Sequence, residues 1–118
     1  MDAKARKPVD WIGTALDDPR AFSPAERNEA GYQLDKVQIG EEPSDWKPMP
    51  SVGPGVRELR IRTGRQHRVF YVAKFEEAVY VLHAFQKKSQ KTPQADITIG
   101  RRRYRLAVEQ HSKRQENT

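Results

Sequence analysis

The longest run of apolar positions lies at residues 79–85, and its pattern predicts a strand. Apolar side chains occupy both alternating faces of this run, and His83 is its one strongly polar member. Strands that are apolar on both faces usually lie inside a sheet, with a neighbour on either edge. We therefore predict a central strand here, and we expect the rest of the chain to cover it.

Two further segments have the composition of strands. Residues 9–16 hold Val, Trp, Ile and Thr before turn residues at 17–19, and residues 67–75 follow turn residues at 63–66. β-Branched and aromatic residues favour strands, whereas Asp, Gly and Pro favour turns. Each segment is therefore predicted to form a strand.

Residues 56–62 alternate between apolar and charged positions. Leu59 and Ile61 fall on one face, and the other face carries Glu58, Arg60 and Arg62. Because successive side chains of a strand point to opposite faces, this alternation predicts a half-exposed strand with a basic outer face.

Two segments carry helix-start signals. Residues 23–26 combine a serine N-cap, a proline at the first helical position and a glutamate three residues after the serine. We expect this helix to run to about Ile39 and to end at Gly40. Its buried stripe should consist of Ala30, Leu34 and Val37.

The second helix is predicted to start after Thr92 and Pro93, with Asp96 complementing the helix dipole in the first turn. Its buried face should contain Ile97, Tyr104 and Val108, while the arginines should point elsewhere: Arg101, Arg102, Arg103 and Arg105. Residues 111–118 are polar, and we expect them, like residues 1–7, to be frayed tails.

Residues 41–55 contain four prolines and two glycines, and we expect an irregular loop there. The predicted order is then strand, helix, loop, three-stranded meander and helix. This order favours the α+β class, with a mainly antiparallel sheet made of an N-terminal strand and the meander, packed with helices. A length of 118 residues predicts a single domain over residues 1–118.

Charge is distributed unevenly along the chain. Residues 1–53 carry 7 Lys/Arg against 10 Asp/Glu, a net charge of −3, whereas residues 54–118 carry 15 against 6, a net charge of +9. The basic half contains the predicted central strand. An asymmetry of this size is consistent with polyanion binding, although solvation alone also explains basic surfaces.

Composition removes several classes of chemistry. The absence of cysteine excludes disulfides and thiolate nucleophiles, and it suits a reducing compartment. The three histidines share no metal-ligand spacing with each other or with acidic residues, so we expect no metal and no other cofactor. No apolar run reaches the roughly 20 residues of a membrane span, and residues 1–7 lack the apolar segment of a secretory signal. We expect a cytoplasmic location.

The remaining candidates are cations and aromatic residues on the meander. In a three-stranded meander the cations can converge into a phosphate-binding concavity; they are Arg60, Arg62, Arg68, Lys87, Lys88 and Lys91. Metal-free RNA cleavage needs a base at the 2′-hydroxyl, positive charge on the phosphate oxygens and an acid at the 5′-oxygen. A lysine crowded by other cations can serve as the base, whereas arginine stays protonated and serves as the clamp.

Two of the candidates have simpler explanations. His83 lies in an apolar strand, where a buried histidine with satisfied hydrogen bonds is the common outcome. Solvation of the sheet surface is our preferred explanation for Arg62 and Arg65. We nevertheless keep His83 among the catalytic candidates and Arg62 among the RNA-binding candidates.

Three segments together carry a resemblance to a known family. LRIR at residues 59–62, HRVFYV at residues 67–72 and VYVLHAFQKKSQKTP at residues 79–93 precede an arginine-rich helix. In this order the chain resembles the HigB-like branch of the RelE/ParE toxin superfamily, phage-derived-type toxins of type II toxin–antitoxin modules. The resemblance spans roughly residues 8–108, and residues 85–93 are its most specific part.

The resemblance implies a RelE-like microbial ribonuclease fold and an endoribonuclease that cleaves mRNA on the ribosome. It assigns the basic catalytic positions to Arg60, Arg68 and Lys87, with Lys88, Lys91 and Phe85 as RNA contacts. Better-known relatives use a tyrosine near the chain end, whereas Tyr104 lies inside the predicted helix here. His83 is the other candidate for the general acid, and the choice stays open.

The resemblance also implies a partner and leaves two other functions open. The partner is a cognate antitoxin, which we expect to cover Arg60, Arg68 and residues 87–91 with an acidic segment. Its apolar anchors would lie beside Phe85 or along the last helix. ParE-type relatives share the fold but inhibit DNA gyrase without catalysis, and a plain nucleic-acid-binding domain would need only the charge.

Overall fold

A computed structural model of the chain describes residues 6–13, 15, 22–62, 65–88 and 90–116. These residues form five strands and two helices. In chain order the elements are β1 (Val9–Trp11), α1 (Pro24–Gln38), β2 (Trp46–Pro48), β3 (Val56–Ile61), β4 (His67–Val72), β5 (Val79–Gln86) and α2 (Gln94–Glu116). The α+β class predicted from the sequence is confirmed.

The five strands form one mixed sheet in the order β1-β5-β4-β3-β2. Strands β3, β4 and β5 pair antiparallel, as the predicted meander requires, and β5 has a neighbour on each side. Strand β1 pairs parallel to β5, with Val9 opposite Val79, so the sheet as a whole is mixed. The predicted strand at residues 9–16 ends at Trp11, and the turn predicted at residues 17–19 lies outside the described residues.

The edge strand β2 was missed by the sequence analysis, which predicted an irregular loop over residues 41–55. Trp46, Lys47 and Pro48 pair antiparallel with β3. A proline is tolerated here because an edge strand leaves one side without ladder partners. The guanidinium of Arg57 lies over the Trp46 ring, 3.9 Å from its centroid, and covers this edge.

Helix α1 covers one face of the sheet and follows the prediction closely. The Ser23 side chain accepts from the Glu26 backbone N–H, while the Glu26 side chain accepts from the Ser23 N–H, which completes the capping box. Gly40 follows the helix with φ +86°, the left-handed conformation that favours glycine. The stripe of Ala30, Leu34 and Val37 is buried against the sheet.

Helix α2 covers the opposite face. Its buried residues are Gly100 and Ala107, with Ile97 and Tyr104 packed partly buried against the same core. The expectation of a frayed tail from His111 is wrong for the residues described, because α2 continues to Glu116. His111 stabilises this extension by stacking on Phe75, with ring centroids 4.1 Å apart.

Strand β3 departs from the predicted half-exposed pattern. The face that carries Glu58 and Arg60 is the face on which α2 packs, and the Glu58 side chain is 0% exposed. The prediction of a strand was therefore correct, but the prediction that its charged face is exposed was wrong.

Among the described residues, no helix has the length and apolar character needed to cross a membrane.

Two helical glycines allow a matched test of this packing. A Cβ at Gly100 would lie 2.9 Å from Phe70 Cδ2 and 3.0 Å from Val52 Cγ1, whereas a Cβ at Gly31 would meet nothing within 4 Å. Gly31→Ala should raise the free energy of unfolding by about 0.5–1 kcal/mol, because alanine favours helix. Gly100→Ala should lower it, since overpacking costs about 1–3 kcal/mol. Urea unfolding of both variants checks the opposite signs.

Candidate active site

The strand register brings charged residues together on the sheet face covered by α2. Residues directly opposite each other on paired strands project to the same face. One row across the sheet therefore contains Lys47, Glu58, Phe70 and His83, and the next row contains Arg60, Arg68 and Phe85. Two of these residues, Arg60 and Arg68, were predicted to converge, and they are direct cross-strand partners.

Glu58 lies at the centre of this group. Its Oε1 atom is 3.5 Å from Arg68 Nε, 3.7 Å from Arg60 Nε and 3.8 Å from Lys47 Nζ. Its Oε2 atom accepts a hydrogen bond of 3.0 Å from Thr92 Oγ1. The opposite charges and the Thr92 hydrogen bond offset the cost of burying Glu58, while Oε1, Arg60 Nε and Arg68 Nε are held by charge alone and form no hydrogen bond with a described residue. We call Lys47, Glu58, Arg60, Arg68 and Lys87 the Glu58 cluster.

Lys87 follows β5 and completes the cluster. Its backbone N–H donates 2.8 Å to the Gln66 carbonyl, which fixes the start of the loop beside β4. Burial, followed by the positive charges of Arg68, Lys47 and Arg60, lowers the pKa of Lys87, and the Glu58 carboxylate opposes this effect. A lowered pKa increases the fraction of neutral amine available to accept a proton.

Arg68 is the most buried cation of the cluster, with its side chain 3% exposed. Its Nη1 donates to the His67 carbonyl at 3.1 Å, and its Nη2 donates to Gln66 Oε1 at 2.9 Å. Burial, together with the positive charges of Arg60 and Arg62, lowers the pKa of Arg68, while the carboxylates of Glu58 and Asp45 oppose this effect. Guanidinium groups remain charged in proteins, so Arg68 is a fixed positive charge.

His83 is held by protein groups on both sides of its ring. Its Nε2 atom lies 2.7 Å from Asp96 Oδ1 and carries the hydrogen, because a carboxylate only accepts. Its Nδ1 atom lies 3.5 Å from Arg103 Nη1, which donates to the Leu82 carbonyl as well. These contacts agree with the simpler explanation of His83 as a buried histidine whose hydrogen bonds are satisfied. Its role as a general acid stays a prediction.

Phe85 lies in the core rather than on the surface. It is 8% exposed, stacks on His83 with centroids 5.0 Å apart, and meets Phe70 edge-on at 5.1 Å. A base could stack on Phe85 only if the surrounding packing moved. Its assignment as an RNA contact stays a prediction.

The outer candidates lie at the rim of the cluster. Lys88 and Lys91 are exposed on the loop between β5 and α2. Arg62 is 60% exposed, and its Nε atom lies 2.9 Å from Asp45 Oδ2, so this guanidinium is already paired with a carboxylate. Tyr104 lies elsewhere, since its hydroxyl donates 3.1 Å to the Pro54 carbonyl and accepts from Lys74.

Sequence reasoning missed three members of this site. Glu58 was assigned to a solvent-facing position, Lys47 was assigned to an irregular loop, and Thr92 was considered only as a helix start. One signal was present: Glu58 is an acid between two arginines in the basic half of the chain. Its burial depends on the position of α2, which local alternation does not encode.

The sequence match to a known family covers this site. Residues 17–105 match the family described as phage derived protein Gp49-like (DUF891). The chain belongs to the Gp49-like family. That family is toxin-like and occurs in toxin–antitoxin modules, and the matched range contains the whole Glu58 cluster. Among curated proteins, no significant match to the chain is found.

The charges around Lys87 predict opposite effects for two substitutions. Arg68→Ala should raise the pKa of Lys87, because it removes a neighbouring positive charge. Glu58→Gln should lower that pKa further, because it removes the one carboxylate that opposes the cations. An NMR titration of the Lys87 side-chain nitrogen measures both shifts, with the exposed Arg62→Ala variant as the control. Shifts of the same sign in the two variants would contradict this electrostatic assignment.

Proposed function

We propose that this Gp49-like protein is the toxin of a type II toxin–antitoxin module and cleaves mRNA on the ribosome. Membership in a toxin-like family supports the toxin role and a cognate antitoxin. The resemblance to the HigB-like branch of the RelE/ParE superfamily supports the choice of ribosome-bound mRNA as substrate. A RelE-like fold and a cytoplasmic location belong to the same proposal.

The observation that carries the enzymatic part is Lys87, a lysine of lowered pKa beside two fixed guanidinium groups. Arg60 and Arg68 are direct cross-strand partners. Arg68 also lies opposite Phe85, which precedes Lys87 by two residues. This arrangement combines a proton acceptor with positive charge, which are two of the three requirements of RNA cleavage by a 2′-hydroxyl. Gyrase inhibition has no need of such a combination.

In the proposed reaction, the neutral Lys87 amine accepts the proton of the ribose 2′-hydroxyl. The 2′-oxygen then forms a bond to phosphorus while the bond from phosphorus to the 5′-oxygen breaks. Arg60 and Arg68 stabilise the negative charge that develops on the phosphate oxygens. The 5′-oxygen takes up a proton from water, and the products are a 2′,3′-cyclic phosphate and a 5′-hydroxyl.

Glu58 supports this reaction without contacting the RNA. Its carboxylate is fully buried and is surrounded by the cluster's own cations. It therefore acts as a positioning residue that holds Arg60, Arg68 and Lys47 in place against their mutual repulsion. Thr92 connects the same carboxylate to the start of α2 and so orients the loop that carries Lys87.

The ribosome enters the proposal because the cluster lacks a complete acid–base pair. Lys87 supplies the base, whereas both ring nitrogens of His83 face protein groups. We predict that the purified protein cleaves free RNA poorly and cleaves mRNA positioned on a ribosome, since orientation can contribute several kcal/mol to catalysis. Primer extension on free and ribosome-bound transcripts measures the difference. Equally rapid cleavage of free RNA would contradict ribosome dependence.

Substitutions in the cluster test the assigned roles. Arg68→Ala and Lys87→Ala should each lower the cleavage rate by roughly 10²–10³-fold, because each removes one contribution to the transition state. Lys87→Arg should be as inactive as Lys87→Ala, since arginine keeps the charge but cannot accept the proton. Arg62→Ala should retain activity, because this exposed side chain lies at the rim. Ribosome-bound cleavage assays measure all four variants.

The assay needs a fold control and a functional alternative. Circular dichroism must show that Arg68→Ala and Lys87→Ala keep the native fold, because Arg68 is buried and its loss removes a partner of Glu58. If a folded double variant still arrests growth, the site is misplaced. If expression changes DNA supercoiling while transcripts stay intact, the protein is a gyrase inhibitor and the ribonuclease proposal fails.

A further inference from the structure

The outer side of α2 carries arginines whose charge the described protein leaves uncompensated. Arg101, Arg102 and Arg105 are exposed, and none of them forms a salt bridge with any described residue. The arginines of the sheet differ, since Arg57, Arg60, Arg62 and Arg68 all lie within salt-bridge distance of a carboxylate. Positions 101, 102 and 105 share one side of the helix, where like charges repel each other.

This charge extends over a little more than three turns of the helix, from Arg101 to Lys113. Between residues 94 and 113, the exposed positions of α2 hold three arginines and Lys113 against a single acid, Glu109. A carboxylate partner that binds these arginines need not displace an internal ion pair. A partner that binds Arg60 or Arg68 must compete with Glu58. The outer side of α2 is therefore the more available surface for acidic side chains.

An apolar groove adjoins these arginines. Leu106 is 44% exposed, one of two large apolar side chains that are exposed among the described residues. It borders a groove of about 280 Å³, whose apolar wall is Trp11, Ile12 and Leu106 and whose remaining lining is Gly13, Glu109, Gln110 and Lys113. Exposed apolar surface beside charge is typical of protein-binding sites, whereas a nucleic-acid backbone gains little from an aliphatic groove.

We infer that the outer side of α2, comprising Arg102, Arg105, Leu106 and the adjoining groove, is the docking site for an acidic protein segment that inserts a large apolar side chain. Acidic residues of the segment pair with the two arginines, and the apolar residue fills the groove beside Leu106. The identification of this segment as part of the antitoxin rests on the proposed function. The site is distinct from the Glu58 cluster, because none of its residues contacts Glu58.

The inference is tested with the purified cognate antitoxin, the partner that the proposed function requires. Arg105→Glu should raise the Kd at least about tenfold and reduce its salt dependence, because one attractive charge becomes repulsive. Leu106→Ser should raise the Kd at least about fivefold, with unchanged salt dependence, since it removes apolar contact. Isothermal titration calorimetry at several salt concentrations measures both variants.

Helix α1 supplies matched controls. Arg27→Glu makes the same charge change at another exposed helical arginine, and Tyr32→Ser removes the other exposed large apolar side chain. Both should leave the Kd within about twofold of the unsubstituted protein, because neither site combines free arginines with the groove. Thermal unfolding should show that all four variants are folded.

The outcomes separate docking from toxicity. Expressed without the antitoxin, Arg105→Glu and Leu106→Ser should still arrest growth, because both lie outside the Glu58 cluster. Docking is overturned if the unsubstituted protein forms no complex with the antitoxin, or if the α2 variants bind the antitoxin as tightly as the α1 controls do. It is also overturned if Arg105→Glu weakens binding to the ribosome but leaves binding to the antitoxin unchanged. If only the α2 variants lose the complex, docking is supported. If the unsubstituted protein also never arrests growth, the toxin proposal is refuted while docking stands.

Discussion

The burial of one carboxylate constrains the whole site. A fully buried Glu58 without partners would cost several kcal/mol, so the strands must be registered to surround it with positive charge. Lys47 on β2 and Arg68 on β4 meet this requirement from opposite sides of β3, and Thr92 meets it from the start of α2. The edge strand, the meander and the second helix are thus coupled through one side chain.

The same coupling leaves the cluster with an excess of positive charge, on which the proposed activity depends. The cluster holds four cations and one buried acid, with Asp45 at its edge 3.7 Å from Arg60, and the excess positive charge acts on Lys87, the residue whose amine can lose its proton. A second carboxylate in the cluster would stabilise the cations but would restore the ordinary pKa of that lysine. Catalytic sites commonly combine groups whose pKa values are held apart in this way.

Local patterns predicted the elements well, because capping, periodicity and turn residues act within a few positions of one another. The capping box at Ser23 and the stripe on α1 are examples. The site was predicted only in part. Arg60, Arg68 and Lys87 stood out as cations, but the burial of Glu58 and the pairing of β2 depend on residues far apart in the chain. The alternation of apolar and polar residues shows that a strand has two different faces, but it does not show which face a later helix covers.

The cations of this protein divide into two groups with different uses. Those of the sheet are paired with Glu58, Asp45 or Glu42, which fixes their geometry, and fixed positive charges suit transition-state stabilisation. Arg101, Arg102 and Arg105 of α2 are exposed and form no salt bridge with a described residue, so they can pair with carboxylates that arrive from outside. At roughly 1.5 Å per residue, a segment docked on Arg102 and Leu106 begins about 12 Å along α2 from the helix start that follows the loop of Lys87. Under the proposed function, such a segment would exclude a ribosome by its bulk without replacing any internal ion pair of the sheet.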